Sequence, residues 1–383
     1  MAKKSTSSKT TRGERAAKRS RAGKPIRVGI VGLGRAGWYM HCPQLERRPH
    51  KYAVVAACDT VPLRRQKAAE RFGCAAYRSI EQLVADPNVE LVDIATRSCD
   101  HFDHAALALR AGKCVLLEKP MAVNYDQARR LRSLARRSPG ELYIHHNRRF
   151  EPGFTHIRRI IHSGILGEVY EIKLRRLNYQ FRGDWQTLKR FGGGQLLNWG
   201  PHIIDHALRM LDSPCKDVWA DLKRIAAVGD AEDHVRIILT GRNGRVVDLE
   251  ISGGAALGEP MYHIFGTKGA LTSSDDCITV KYLDPAVKLR LIKADPGTPG
   301  VAGHPPMPNH VLVRSGRAPN SDEVKWIEKT FPIDTSVRCD LWDEVHSAVR
   351  LGVAFPITLE ESVEVMRVIS AARAGSKLYR RRS

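Results

Sequence analysis

The chain has no C-x-x-C pair: its eight cysteines are scattered at positions 42, 58, 74, 99, 114, 215, 277 and 339. That scatter argues against a zinc ribbon or a dense disulfide framework, and reduced thiols in a cytoplasmic protein are the expectation. No apolar run approaches the roughly 20 residues that cross a bilayer, and the amino terminus lacks the apolar stretch of a secretory signal. No internal repeat is visible. What remains is a chain of 383 residues with 43% hydrophobic content, long enough that two domains are expected.

Negative charge is also in short supply. Against 62 Lys and Arg there are 41 Asp and Glu, a formal net charge of +21. Residues 1–25 hold nine Lys or Arg and only Glu14, so this tail supplies +8 and the remainder carries +13. The tail lacks the aliphatic and aromatic residues that would offset the cost of ordering it, and disorder is predicted there. A basic arm can attract nucleic acid through counterion release; a solubilising tail is the simpler account, and neither nucleic acid nor membrane is expected as a partner.

After the tail the grammar changes. The apolar run Ile26 to Val31 reads as a buried strand, and Gly32-Leu33-Gly34-Arg35-Ala36-Gly37 then forms a G-x-G-x-x-G that opens a helix. The first glycine permits a tight turn, the second lets the backbone approach a pyrophosphate, and the third lets helix and strand lie close. Gly32, Gly34, Arg35, Ala36 and Gly37 are therefore candidate cofactor contacts at a helix N-terminus. A second apolar run, "YAVVAACD", ends at Asp59, where a carboxylate would accept hydrogen bonds from ribose hydroxyls and repel a 2′-phosphate. NAD is expected over NADP, although Arg64 and Arg65 stand nearby.

Strands alternate with helices from there to about residue 150. A strand near Leu91 to Ala95, a helix closed by Gly112, the strand "CVLLEKP", an amphipathic helix with Asn124 as N-cap and the strand "LYIHHNRRF" imply a parallel sheet covered on both faces. Ligands of such sheets sit beyond the carboxyl ends of the strands, which puts Thr96 and the Glu118-Lys119-Pro120 turn on the same rim as the glycines. Beyond residue 150 a helix near "FTHIRRIIHSG" precedes runs with two-residue alternation ("GEVYEIKLRRLNYQF", "HVRIILTG", "RVVDLEIS"), the mark of a largely antiparallel sheet. Residues 284–320 are rich in Pro and Gly and read as a long loop, and two helical patterns close the chain.

The strand with its G-x-G-x-x-G, "HFDHAALALRAGKCVLLEKP", "HHNRRFEPGF", "GGGQLLNWGPHIID", "YHIFGTKGAL" and "FPITLEESVEVMRVISAAR" occur in an order that resembles the Gfo/Idh/MocA oxidoreductases, from about residue 26 to 376. The resemblance implies an α/β plus α+β architecture: a Rossmann dinucleotide-binding domain over 26–150 and, over 151–383, an open-faced, largely antiparallel sheet domain for substrate and oligomerisation. It implies hydride transfer between a nicotinamide and a ring CH–OH of a sugar, sugar derivative or cyclitol, in a homodimer or homotetramer. Lys119 matches the lysine of E-K-P, which contacts the reacting hydroxyl and the nicotinamide ribose; His202 matches the acid/base histidine of G-x-H-x-x-D, and Asp205 its final carboxylate. A base for the O–H proton and an ammonium for developing alkoxide charge are what alcohol oxidation requires.

Two departures from the family pattern stand out. Thr96-Arg97-Ser98 replaces the common Thr-Pro-Asn, adding a cation to the rim. Asn198 replaces the commoner Asp four residues before His202; a neutral amide can orient a substrate hydroxyl but does not raise the imidazole pKa as a carboxylate would. Arg148, Asp184, Trp185 and Asp205 are further candidates for the substrate pocket, with Asp205 favoured as a supporting partner. His145 and His146 read as packed histidines. His202 and His206 share an i,i+4 spacing, but "HIIDH" lacks the glutamate of H-E-x-x-H, and no metal is expected. Two other readings stay open: a glycosidase that oxidises a sugar hydroxyl transiently with NAD, and a non-catalytic nucleotide-binding regulator.

Overall fold

The computed structural model describes residues 23–286, 325–336 and 340–379. Most of the basic tail, most of the Pro- and Gly-rich loop and Cys339 lie outside the described residues.

Continuous apolar runs become a six-stranded parallel sheet because helices cover both of its faces. Its strands are β1 (Ile26–Val31), β2 (Tyr52–Cys58), β3 (Ala75–Tyr77), β4 (Leu91–Ile94), β5 (Cys114–Glu118) and β6 (Leu142–His145), in the order β3-β2-β1-β4-β5-β6. The order reverses at β1, so the crevice between the ends of β1 and β4 is the topological switch point at which such sheets bind ligands. After the glycine loop, a π-helical segment, Arg35–His41, runs into α1 (Cys42–Glu46). The covering helices are α2 (Pro62–Phe72), α3 (Ile80–Ala85), α4 (His101–Arg110) and α5 (Tyr125–Ala135). Asn124 caps α5 by accepting from the Gln127 amide at 2.9 Å, as its sequence position predicts.

The second half begins with α6 (Pro152–His162) and β7 (Val169–Leu177), then α7 (Gln195–Asn198) and α8 (Gly200–Leu211). Strands β8 (Cys215–Lys223), β9 (His234–Gly241), β10 (Val246–Ser252), β11 (Tyr262–Gly266), β12 (Gly269–Ser273), β13 (Cys277–Leu283) and β14 (Trp326–Pro332) follow. The eight strands order as β14-β13-β12-β11-β7-β10-β9-β8. Every pairing is antiparallel except β7 with β10. That one is parallel because the chain leaves β7 through two helices and a hairpin before it returns, and parallel neighbours require such a crossover. Val235, Ile237 and Leu239 point into the core, whereas the alternate residues His234, Arg236 and Ile238 face outward, so one side of the sheet is covered and the other open.

The carboxyl-terminal residues, expected with the second domain, divide between both sheets. In α9 (Leu341–His346), Leu341, Trp342 and Val345 join Ile26, Val28, Ile30 and Leu116 against the parallel sheet. In α10 (Leu359–Gly375), Val363, Met366 and Ile369 belong to a core that runs from Val92 and Leu117 to Leu249 and Ile264. Among the described residues no helix is long and apolar enough to cross a membrane, and the cysteines are all free thiols.

Candidate active site

The glycines divide their work as their neighbours dictate. Gly32 has φ +94°, and a Cβ there would lie 2.7 Å from the Ala95 carbonyl oxygen; one on Gly37 would lie 2.0 Å from the Gly32 carbonyl oxygen. A Cβ on Gly34 would meet nothing within 4 Å, so the middle glycine turns open backbone to the crevice, the cradle a pyrophosphate needs. Arg35 is exposed beside it and Ala36 half-buried. Asp59 ends β2 and steadies the loop: its Oδ2 accepts from the Leu33 amide at 2.8 Å and its Oδ1 from the Val61 amide at 2.9 Å. A carboxylate has about four acceptor sites, so ribose hydroxyls can still be accommodated. The Arg64 guanidinium lies 3.4 Å from Oδ2, while Arg65 donates to the Asp59 carbonyl at 2.7 Å.

On the opposite lip, the Thr96 hydroxyl lies 3.1 Å from His104 Nδ1. His101 ties this lip to the next turn, with its ring nitrogens 3.2 Å from the Thr96 carbonyl oxygen and 2.7 Å from that of Pro120. Arg97, expected to bring a cation to the rim, is exposed and stacks on Phe191, its Cζ 4.4 Å from the ring centroid.

Glu118 departs from the cofactor contact expected of it. It is buried, and its carboxylate points behind the sheet end, with Oε1 2.7 Å from His145 Nδ1 and 3.1 Å from His41 Nε2. Its Oε2 accepts from the Lys119 amide at 3.1 Å. His41 Nδ1 in turn lies 2.9 Å from Asp93 Oδ2. Burial acts to lower the His41 pKa, but the Asp93 and Glu118 carboxylates outweigh it and push it up to about 10. The potential ligand atoms of His41, Glu118 and His145 all lie within 4.8 Å of one another. A tetrahedral zinc with bonds near 2.0–2.1 Å would hold its ligand atoms about 3.3 Å apart. The 2.7 Å separation of His145 and Glu118 is an ion-pair distance instead, and we read the cluster as an ionic network.

Lys119 points the other way. Its Nζ donates to the Asn198 carbonyl oxygen at 2.9 Å, which joins the parallel sheet to the G-x-H-x-x-D segment. Burial lowers its pKa; Glu118 opposes this, and Arg35, Arg148 and Arg182 reinforce it. The glycine triplet makes this junction feasible. Gly192 (φ +70°) would bring a Cβ to 2.9 Å from Ser98 Cβ, and Gly194 (φ +103°) to 2.2 Å from the Glu232 carboxylate. The segment thus threads between one loop of each sheet, where no side chain fits.

His202 lies on the first turn of α8, 6% exposed, with its Nδ1 buried and without a hydrogen-bond partner. Burial holds its pKa well below the ordinary imidazole value, with Lys119, His146 and Arg148 adding to the effect and Glu118 opposing it. It is a neutral imidazole with a free ring nitrogen, beside an ammonium. The Asn198 side chain accepts from Gln186 Nε2 at 3.4 Å and shares a small pocket with Arg182, Gln186, Gln195 and Glu232.

The other candidates separate into two groups. Asp205 is 1% exposed and bound to Arg149, whose Nε donates to it at 2.9 Å. Arg149 also reaches Glu361 of α10 at 2.5 Å, so through Arg149 the Asp205 carboxylate ties α8 to α10. The two nitrogens of His206 are occupied by the Tyr262 hydroxyl and the Arg148 carbonyl, both at 2.9 Å, and no metal pair with His202 is assembled. Asp184 accepts from Arg182 at 2.9 Å and caps the turn that starts at Trp185, while Arg148 lies over the Trp199 indole at 4.2 Å. Sequence reasoning missed Arg176, Arg182, Gln186 and Glu232; the one available signal was Arg176, a charge in the row of β7 that otherwise carries the buried Ile172 and Leu174.

Known proteins share this fold. Residues 26–146 match the oxidoreductase family with an NAD-binding Rossmann fold, and residues 154–272 match the GFO/IDH/MocA C-terminal domain. An uncharacterised oxidoreductase of Schizosaccharomyces pombe is 32% identical over 261 residues, 64% of this chain and 69% of its own length. The scyllo-inositol 2-dehydrogenase (NADP(+)) IolW of Bacillus subtilis is 25% identical over 92% of this chain and 94% of its own. The crystal structure of an NAD-binding protein from Listeria innocua superimposes with a TM-score of 0.75 at 25% identity, covering 93% of this chain and 99% of that one.

Proposed function

For this chain, which belongs to the Gfo/Idh/MocA family of NAD-binding oxidoreductases, we propose hydride transfer between NAD and a ring CH–OH of a sugar, sugar derivative or cyclitol. One observation carries the reading: the buried His202 Nδ1 has no hydrogen-bond partner, in an imidazole that burial holds neutral and that Lys119, itself within the influence of Arg35 in the glycine loop, depresses further. In the oxidising direction His202 accepts the hydroxyl proton and Lys119 stabilises the developing alkoxide. NAD supplies the acceptor for the hydride that leaves carbon. Asn198 orients the substrate hydroxyl with its amide, and Gly32, Gly34, Arg35, Gly37 and Asp59 hold the dinucleotide.

Asp59 at the end of β2 favours NAD, because its charge opposes a 2′-phosphate; IolW, with NADP(+) in its name, shows why the preference needs measuring. We extend the proposal to assembly as a homo-oligomer through the open face of the eight-stranded sheet. That face carries the Arg175–Asp248–Arg236 ion pairs and Trp219, which is 54% exposed. The test is a panel of inositols, hexoses, uronates and aryl glycosides with each cofactor. Net NADH formation with one class, at higher kcat/KM than for NADPH, is expected. Aglycone release without net NADH would replace the dehydrogenase with a transient-oxidation glycosidase, and equal efficiency with NADPH would remove the role given to Asp59.

A further inference from the structure

The cleft in front of His202 contains more cations than the chemistry above uses. Of the carboxylates nearby, Glu118 and Asp205 are turned away into buried pairs, Asp184 is held by Arg182, and Glu151 is paired with Arg148. Asn198 presents a neutral amide, not an acid, four residues before His202. Among the described residues no carboxylate stands within ion-pair distance of Arg176. Its Cζ lies 3.9 Å from the centroid of the Trp199 indole, and Arg148 Cζ lies 4.2 Å from the same centroid. The Trp199 and His202 rings are 6.0 Å apart, so two guanidiniums are gathered on one aromatic ring, about a sugar ring's width from the proposed base.

Arg176 is exposed, so water solvates its outer edge while Asp275 and Glu151 act on it from beyond ion-pair distance; an anion bound there would take the place of that water. Arg176 occupies the row of β7 that holds buried Ile172 and Leu174, and it pairs in register with buried Ile251, so it is set at the mouth of the cleft and not on the open face. Stacking on an indole stabilises a guanidinium, but it leaves the N–H edge free, and that edge matches a carboxylate bidentately.

We propose, resting on the dehydrogenase reading above, that the substrate is acidic: a sugar or cyclitol whose ring carries a carboxylate, bound by Arg176 with Arg148 across Trp199. The charge count selects a carboxylate over a phosphate. Arg148 is paired with Glu151, and Asp275 and Glu151 both act on Arg176 from beyond ion-pair distance, so a monoanion suits the remaining charge better than a dianion. Partial burial and the Arg148 charge lower the Arg176 pKa, with Asp275 and Glu151 opposing, so the cationic form would gain from a further negative charge beside it. A bound carboxylate would also counter the cations that depress His202 and so strengthen it as a base when the correct substrate is present.

The experiment uses the full chain with NAD and matched probes: D-glucuronate and D-galacturonate against D-glucose, D-galactose and glucose 6-phosphate. Steady-state turnover is measured together with binding of each probe to the NADH complex, followed by NADH fluorescence. A uronate is expected to surpass its neutral parent. Arg176→Gln should cut that preference about 10- to 100-fold, mainly through KM, the range set by one charge-assisted hydrogen-bonded pair, and Arg176→Lys should restore part of it. Turnover of neutral sugars with no uronate preference overturns the inference and leaves hydride transfer intact. So does an Arg176→Gln loss of equal size on both members of a pair, or preference for the phosphate. Uronate binding that depends on Arg176 without any turnover would uphold the inference and defeat the dehydrogenase reading; no saturable uronate binding overturns the inference whatever the turnover.

Discussion

Two buried histidines stand on opposite sides of the Glu118-Lys119 turn and are held in opposite charge states. His41, behind the turn, is 1% exposed and contacts Asp93 and Glu118; His202, in front of it, is 6% exposed and faces Lys119, His146 and Arg148. Burial alone pushes both imidazoles toward neutrality, so it does not account for the difference. Neighbouring charge does. Two carboxylates make His41 a cation against the effect of its burial, whereas burial, reinforced by Lys119, His146 and Arg148, keeps His202 neutral. One turn thereby separates two environments: Glu118 is consumed by the structural network behind it, while Lys119 turns the other way and its Nζ donates to the Asn198 carbonyl oxygen.

The comparison can be broken from either side. The largest effect is expected from His202→Asn, which removes the proton acceptor while keeping a polar group of similar size. Turnover should fall about 10²- to 10⁴-fold, with NADH affinity nearly unchanged by fluorescence titration; a variant within a few-fold of the parent would refute the base assignment. Next is His41→Ala, which leaves Asp93 buried without a counter-charge and Glu118 with His145 alone. Breaking a buried pair from one side costs about 3–5 kcal/mol, read as a loss of stability in urea unfolding, and a cost below about 1 kcal/mol would show that the pair is not ionised.

The same residue gives a pH signature with a definite sign. Because the His41 pKa rises from 6.5 to about 10 on folding, its contribution is fully present below pH 6.5 and is lost as the pH climbs toward 10. Glu118, held well below 4.5, contributes in the opposite sense: fully above that value, and lost as the pH falls beneath its depressed folded-state pKa. The alkaline decline in stability should therefore be steeper in the parent protein than in His41→Ala, and parallel curves would contradict the fixed cation. The smallest effect is expected from Asn198→Asp. A carboxylate near the imidazole should move the acidic limb of the pH–rate profile upward, by up to about one unit. An unmoved limb would mean that the two side chains do not sense each other.

The parts of this site that are legible in the sequence are those whose constraint is local. A glycine that needs φ +94°, or that packs 2.0 Å from a carbonyl, leaves its mark at one position whatever the rest of the chain does. The NAD-binding domain and the antiparallel character of the second sheet followed from such marks and from periodicity. The pairing of Glu118 with His41 and His145 is hidden because they lie 77 and 27 residues away and nothing near it signals an inward turn. Arg149 and Asp205, 56 residues apart, are hidden for the same reason. The parallel β7–β10 pairing and the return of α9 to the first sheet depend on how whole layers stack, which no short window encodes.

The most direct test of the central claim is a pH titration of the imidazole nitrogens by NMR in the histidine-labelled protein, with His41→Ala and His202→Asn used to assign the two resonances. The account predicts that His202 titrates well below the ordinary imidazole midpoint while His41 stays doubly protonated up to about pH 8.5, each displaced in its own direction. A His202 that titrates near or above the ordinary value, or a His41 already neutral at about pH 8, would contradict it.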